Sequence, residues 1–557
     1  MKALPQLITD IKEWPIHKFS NNRTEFIKQV VKVTFEQFKE LDTEEIDQAI
    51  AKAIYLEKQR IKVNPWKADP PNEAVFFKKL QSEYNENILA LDKRAAHLET
   101  LHRLIKRYAE EIGGHFNPNT FQFARKILSV FFYNLLNPIG FHSFTSISKM
   151  KEKLESRIQF RGNIESIRSQ FKKNIVVVLP THSSNLDSML IGYSLDLLLG
   201  LPAFSYGAGL NLYDSEFFAF FMNRLGAYKV DRRKKNRIYL QTLNDFSRLS
   251  VQEGVNSIFF PGGTRSRSGE VEMKAKLGLI SSLITAQRDL IEQHSDKKII
   301  IFPLVLSYES VLEARSLMLQ HLKSAGQEKY TAREHMSTFS QYYKFTKRIV
   351  TKGSNIYLTI GEGIDVFGNK VLENNSSVDT HGHVVDLKNY FMSDGEFKHD
   401  PQRESIYTKE LAELVCAQYV KFNFILPCHL VAFTAFKLMQ KSNPGHDIFS
   451  LVQLPEEEIV FELEIFYRVA EEIRSLLFEM NQNNSLIKPD LLEGDIKNVV
   501  NTGIETLGIF HIKRPLFIDS YNRLLSEDFI ALSFYSNKMC NLDLDAKISW
   551  NKLLPTI

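Results

Sequence analysis

The sequence predicts an α/β protein, with a mostly parallel central sheet flanked by helices and helical regions at both ends. Three observations predict it. From about residue 170 to 370, short apolar runs alternate with stretches of helical periodicity, the pattern of a parallel sheet covered on both faces. One of those runs, Ile175 to Leu179, is wholly apolar with three valines and stops at Pro180, as a buried strand does. On either side of this region, apolar residues recur at three- and four-residue steps with charges between them.

Taken in order, 1–125 reads as a helical N-terminal region. Helices are expected over 25–39 and 43–60, a turn over 66–71 where Pro65, Pro70 and Pro71 cluster, and a second helical set over 72–112 before Gly113 and Gly114. An aromatic stretch follows, with Phe121, Phe123, Phe131, Phe132, Tyr133, Phe141 and Phe144, leading into a polar segment. It suits core packing between regions, or an amphipathic surface that touches lipid.

The α/β domain is expected over 126–370. Its strands are predicted at 175–179, 203–207, 228–230, 257–260, 299–306 and 356–360, with helices at 237–251 and 277–293 among those between them. Residues 371–403 are polar and read as a loop or linker. Residues 404–557 return to helices, with an apolar one over 422–438.

At 557 residues the chain exceeds one ordinary core, and 44% apolar with 24% charged residues is an ordinary globular balance. A net charge of +4 from 70 basic and 66 acidic residues points to no partner by itself. Cys416, Cys428 and Cys540 have neither paired nor metal-type spacing, which suggests a reducing compartment. The first ten residues lack a signal-peptide apolar core, and no run of 18 residues is cleanly apolar. The expectation is a protein that lies peripherally on a membrane, on its cytoplasmic side.

Three stretches carry chemistry. The first is His182-Ser-Ser-Asn-Leu-Asp187, directly after the strongest strand. The same His-x4-Asp spacing recurs at His381 and Asp386, so spacing alone means nothing. His381 and its neighbour His383 sit in a polar stretch with no strand before it and read as a solvated loop. His182 stands where α/β folds place reactive groups, at the C-terminal edge of a sheet.

The second is Phe259-Phe-Pro-Gly-Gly-Thr-Arg-Ser-Arg-Ser-Gly269, a strand opening into glycines, hydroxyls and two arginines. Backbone N–H groups and guanidinium forks suit phosphate, although the Walker spacing is absent. The third, Arg224 to Arg237, holds seven cations and one acid. It suits a lipid-headgroup patch or a solvated helix start; no groove-reading motif accompanies it, so nucleic acid is not expected. With no Gly-x-Ser-x-Gly elbow and no cysteine near His182, the pair reads as a general base acting on a substrate hydroxyl.

In this order the blocks resemble the glycerolipid acyltransferase family, in particular its bacterial glycerol-3-phosphate branch. His182 and Asp187 match the family's His-x4-Asp, Gly226 to Arg232 its second block, Phe260 to Gly269 its third, and the proline-bearing strand Ile299 to Glu309 its fourth. Gly207-Ala-Gly-Leu-Asn-Leu212 and Lys276-Leu-Gly278 also look like that branch, and the likeness covers roughly 175–310. One departure stands out: the family's third-block glutamate, associated with holding the acceptor, is Gly262 here.

The resemblance implies acyl transfer from acyl-CoA or an acyl-carrier protein to the sn-1 hydroxyl of glycerol 3-phosphate, the first step of phospholipid synthesis. It implies His182 as base and Asp187 as its orienting carboxylate. Substrate contacts would come from Arg232, Gly263, Thr264, Arg265, Ser266, Arg267 and Lys276. Backbone N–H groups near Ser183–Asn185 would serve the oxyanion. No metal and no cofactor beyond the acyl thioester is expected. The alternatives are a lysophospholipid or dihydroxyacetone phosphate acceptor on the same fold, or a non-catalytic lipid-binding relative.

Overall fold

The computed structural model describes residues 2–87, 90–137, 147–210, 216–324 and 353–554. Phe141 and Phe144 of the aromatic stretch, and Asn211 and Leu212 after the Gly207 block, lie outside the described residues.

The frame is a seven-stranded sheet made of β1 (Ile158–Gly162), β2 (Ile175–Pro180), β3 (Ser205–Gly209), β4 (Ala227–Val230), β5 (Ser257–Ile258), β6 (Ile299–Tyr308) and β7 (Ile356–Ile360), in the spatial order β1-β7-β6-β2-β5-β3-β4. Every neighbouring pair is parallel except β6 and β7. Helices cover both faces, as the alternation predicts. The period-two rule is visible along β2 and β6: Val176, Val178, Ile300, Phe302 and Leu304 join one core, while Ile175, Val177, Leu179, Ile299 and Ile301 join the core on the opposite face.

β1 is a strand that no sequence signal announced. Ile158 and Phe160 are buried, Gln159 and Arg161 less so, and Gly162 is exposed, so only one face of this edge strand is apolar. Its partner β7 fixes it in register from Ile158–Ile356 to Gly162–Ile360.

The N-terminal helices Arg23–Lys39, Thr43–Val63 and Lys93–Ile112 pack on the helix Arg237–Gln252 through a separate core containing Val30, Ile50, Leu104 and Ile238. The C-terminal helices share a core with the sheet instead: Phe302 and Leu358 belong to one buried cluster with Leu430, Ile473 and Leu532. The expected apolar helix over 422–438 begins later, as Pro427–Ser442. Pro427 lacks an N–H and fits the first helical turn, so Phe422 to Leu426 enter it as a buried link. The polar stretch after residue 370 folds into short hairpins, and its Leu387 and Phe391 are buried.

Among the described residues, no helix is long and apolar enough to cross a membrane.

Candidate active site

Four parallel strands deliver their following loops to one place. His182 lies just past the end of β2, the glycine-rich loop follows β5, Gly209 and Leu210 end β3, and Arg232 follows β4. They line a cavity of about 250 Å³ together with Asn185, Ser188, Phe260, Thr264, Arg265 and Arg267. Trp66 and Arg233 line it too, so four arginines and a single histidine share one cavity.

The His182–Asp187 pair is built from the turn outward. Asp187 opens the helix Asp187–Leu197 and is fully buried, at 0% side-chain exposure, whereas His182 keeps 14%. His182 Nδ1 lies 2.8 Å from Asp187 Oδ2. That oxygen also accepts the N–H groups of Ser183 at 2.6 Å and Ser184 at 2.8 Å, while Oδ1 accepts the Tyr308 hydroxyl at 2.5 Å. A buried carboxylate with four donors is held in one orientation. Burial and the adjacent Asp187 push the Tyr308 hydroxyl far above its ordinary pKa, so it stays a donor. The imidazole lies on the Phe260 ring, centroids 4.2 Å apart. With Nδ1 directed at Asp187, Nε2 is the nitrogen left to exchange a proton.

One expectation fails here. Ser183, Ser184 and Asn185 cannot offer free N–H groups to an oxyanion. The first two are spent on Asp187, and the Asn185 N–H donates to Glu313 Oε1 at 3.0 Å. Glu313 also accepts from Ser184 Oγ at 3.0 Å and lies 3.7 Å from the Arg265 guanidinium. Tyr308 and Glu313 were not legible as site residues. Tyr308 ends a strand of ten buried residues that reads as core, and Glu313 lies in the turn beyond it.

The loop residues divide by role. Thr264, Arg265 and Arg267 line the cavity. Gly263 does not; it turns the chain with φ +76°, a conformation that favours glycine. Ser266 donates its N–H to the His182 carbonyl at 2.7 Å, so it clamps the turn that carries His182. Lys276 lies across Gly263, its Nζ 2.9 Å from where a Cβ would stand, and its N–H bonds the Pro261 carbonyl.

The basic stretch 224–237 is mostly consumed by the fold. Arg233 pairs with Asp231 and Asp69 and covers the Trp66 ring. Lys234 is fully buried, with Nζ 2.6 Å from Glu111 and 3.1 Å from Glu73. Burial opposes its charge, yet Glu111, Glu57 and Glu73 hold the ammonium above its ordinary pKa. Arg224 and Arg237 lie over Phe220 and Phe38. Arg232 is the exposed arginine of the run that lines the cavity without such a partner among the described residues. His381 and His383 sit on an exposed turn closed by Asp379, and Asp386 caps the short helix after it. That second His-x4-Asp is a turn and a cap.

A second cavity, of about 410 Å³, adjoins the first, sharing Ser188 and Phe260. Its walls are apolar: Ile127, Leu128 and Phe131 from the helix Pro118–Leu136, with Met189, Phe204 and Phe221 among those opposite. Of the aromatic stretch, Phe132 is buried, Phe121 and Phe131 line this cavity, and Phe123, Val130 and Phe131 are also substantially exposed.

Comparison with known proteins gives a consistent direction. Residues 157–307 match the family model described as acyltransferase. The chain is 25% identical over 259 residues to the glycerol-3-phosphate acyltransferase of Pseudomonas aeruginosa PAO1, covering 46% of this chain and 27% of that protein. It is 26% identical over 224 residues to the enzyme of the same name from Ectopseudomonas mendocina, covering 40% of this chain and 24% of that one. The match thus spans about a quarter of the length of these relatives. A crystal structure of the 1-acyl-sn-glycerophosphate (LPA) acyltransferase PlsC from Thermotoga maritima aligns over 57% of this chain and 86% of its own, at 14% identity and a TM-score of 0.21. A score that low carries no argument.

Proposed function

With residues 157–307 matching the acyltransferase family model, we propose that the protein transfers a fatty acyl group from a thioester, acyl-CoA or acyl-carrier protein, to the sn-1 hydroxyl of glycerol 3-phosphate. The observation that carries this reading is the meeting of two unlike cavities at His182: a basic one with Arg232, Arg265 and Arg267, and an apolar one behind Ser188 and Phe260. A phosphate-bearing acceptor suits the first and an acyl chain the second.

In this mechanism the acceptor phosphate rests among the three arginines, which brings its hydroxyl to His182. His182 Nε2 takes the hydroxyl proton as the oxygen attacks the thioester carbonyl, a role worth about 100- to 10,000-fold. Asp187 holds the ring in the Nδ1–H tautomer and faces the imidazolium charge. The new C–O bond forms, the C–S bond breaks, and the imidazolium returns its proton to the departing thiolate. Lysophosphatidic acid and a free thiol result. Because the N–H groups at 183–185 are engaged, we assign the carbonyl oxygen's developing charge to Thr264 and Arg265, which also line the cavity. The exposed Phe123, Val130 and Phe131, on the helix that walls the apolar cavity, favour peripheral membrane contact.

The test is thiol release by the purified protein with glycerol 3-phosphate, dihydroxyacetone phosphate or a lysophospholipid as acceptor. Glycerol 3-phosphate should be consumed fastest, and His182→Ala and Asp187→Asn should each abolish turnover while leaving the circular dichroism spectrum unchanged. Near-normal turnover in His182→Ala, or no acceptor used at all, would sink the reading.

A further inference from the structure

Glu272 brings a shielded carboxyl group to the catalytic turn, and the mechanism above leaves it idle. It lies on the extended segment between the glycine-rich loop and the helix Leu277–Glu292. Its Oε1 accepts the backbone N–H of His182 at 3.1 Å. Its Oε2 is hidden from solvent and has no hydrogen-bond partner among the described residues. The opposite side of the same residue is also fixed, since the His182 carbonyl accepts from the Ser266 N–H at 2.7 Å. Both polar backbone groups of His182 are therefore clamped, and both clamps come from the segment 262–272.

Gly262 explains how the carboxyl reaches this place. Its backbone is not in the left-handed region, so nothing in its own conformation calls for glycine. Space does. A Cβ at 262 would stand 2.8 Å from Glu272 Oε1, 3.0 Å from its Cδ and 3.2 Å from its Cγ. An alanine would push the carboxyl off the His182 N–H.

The groups facing Glu272 come from several elements. Asp187 raises its pKa and the Lys538 ammonium lowers it, while Tyr419 and Cys416 from the helix Pro401–Lys421 feel its charge. Burial outweighs the rest and pushes the Glu272 carboxyl up to about 8.

We propose that Glu272 is a positioning residue for His182, and that glycine stands at 262 because a side chain there would displace it. The proposal rests on the reading of His182 as the base. Glu272 touches no reacting atom; it acts by holding the peptide from which the imidazole projects.

The experiment compares Glu272→Ala, Glu272→Gln, Gly262→Ala and the Gly262→Ala/Glu272→Ala double variant. Glutamine keeps an oxygen that accepts the His182 N–H, so Glu272→Gln should stay within about threefold of the parent in kcat. Glu272→Ala should lower kcat by up to on the order of 100-fold, the cost of a misplaced catalytic group, with the KM for glycerol 3-phosphate unchanged. Gly262→Ala should fall similarly, and the double variant should be no worse than Glu272→Ala alone. Additive losses, a Glu272→Gln loss as large as that of alanine, or a change confined to KM would each overturn the proposal. A second readout does not need turnover: the His182 amide and ring signals in histidine-labelled protein, identified by their loss in His182→Ala. They should shift in Glu272→Ala and Gly262→Ala and return in Glu272→Gln. If the parent transfers no acyl group, the proposed function fails, and these signals still decide whether Glu272 positions His182.

Discussion

Arg232 and Arg233 are adjacent in the chain and both line the basic cavity, but they differ in partners. Arg232 has no carboxylate partner among the described residues, while Arg233 is held by Asp69 and Asp231 against the Trp66 ring. Arg232→Ala should raise the KM for glycerol 3-phosphate with little effect on thermal stability. Arg233→Ala should lower the melting temperature instead, because it leaves the buried Asp231 without its cation. Kinetics and a melting curve on the same two proteins check both halves. Sequence could not separate them: the run announces positive charge, but which cation is consumed depends on partners more than 100 residues distant, such as Asp69. The His182–Asp187 pair was readable because strand, turn and helix start are local. Its supports, Tyr308, Glu313 and Glu272, were not, since each arrives from another part of the chain.

Glu272 also predicts a pH dependence. The ordinary carboxyl value is 4.5 and the folded value about 8. Below both, the group is protonated in either state and costs nothing. Between them the unfolded chain releases the proton while the folded chain keeps it, so its contribution to stability is lost as pH rises. Glu272→Gln has no such proton to keep. Its melting temperature relative to the parent should therefore rise from about pH 5 to about pH 7.5. A constant difference across that range would show that Glu272 does not hold its proton in the fold.

At the scale of elements, the helix Asp187–Leu197 serves both cavities. Asp187 at its start orients the His182 imidazole, and Ser188, Met189, Gly192 and Tyr193 line the apolar space. Glycine inside a helix costs roughly 1 kcal/mol relative to alanine, yet a Cβ at Gly192 would meet nothing within 4 Å. What Gly192 preserves is room. Gly192→Leu should project into the apolar cavity and shift the preferred acyl donor toward shorter chains. Thiol release across a series of acyl-CoA lengths reads this directly, and an unchanged preference would remove the cavity from donor binding. The strands of this region were legible because each is a short apolar run between breakers. β1 was not, because an edge strand with one apolar face, Ile158 and Phe160 alternating with Gln159 and Arg161, resembles the helical segments beside it. The start of the helix Pro427–Ser442 was obscured by the apolar link before it, whose burial imitates helix.

For the whole molecule, the N-terminal helices and the α/β sheet meet through ionised groups as well as packing. Arg60 and Lys234 are buried against the carboxylates of Glu57, Glu73, Glu111 and the partly buried Asp69, all from the N-terminal region. Lys234→Met should leave those carboxylates short of one cation and destabilise the fold by about 3–5 kcal/mol. Chemical denaturation checks it; a loss under about 1 kcal/mol would mean the carboxylates find water instead.

That buried cluster sits two residues from Arg232. Arg232 is thus moored, through Lys234, to the N-terminal helices. A chain lacking its first helices could retain His182, Asp187 and the glycine-rich loop and still lose its grip on a phosphate. On the proposed function, the N-terminal bundle would then bear on selectivity: it sets where one positive charge waits, apart from the His182–Asp187 pair.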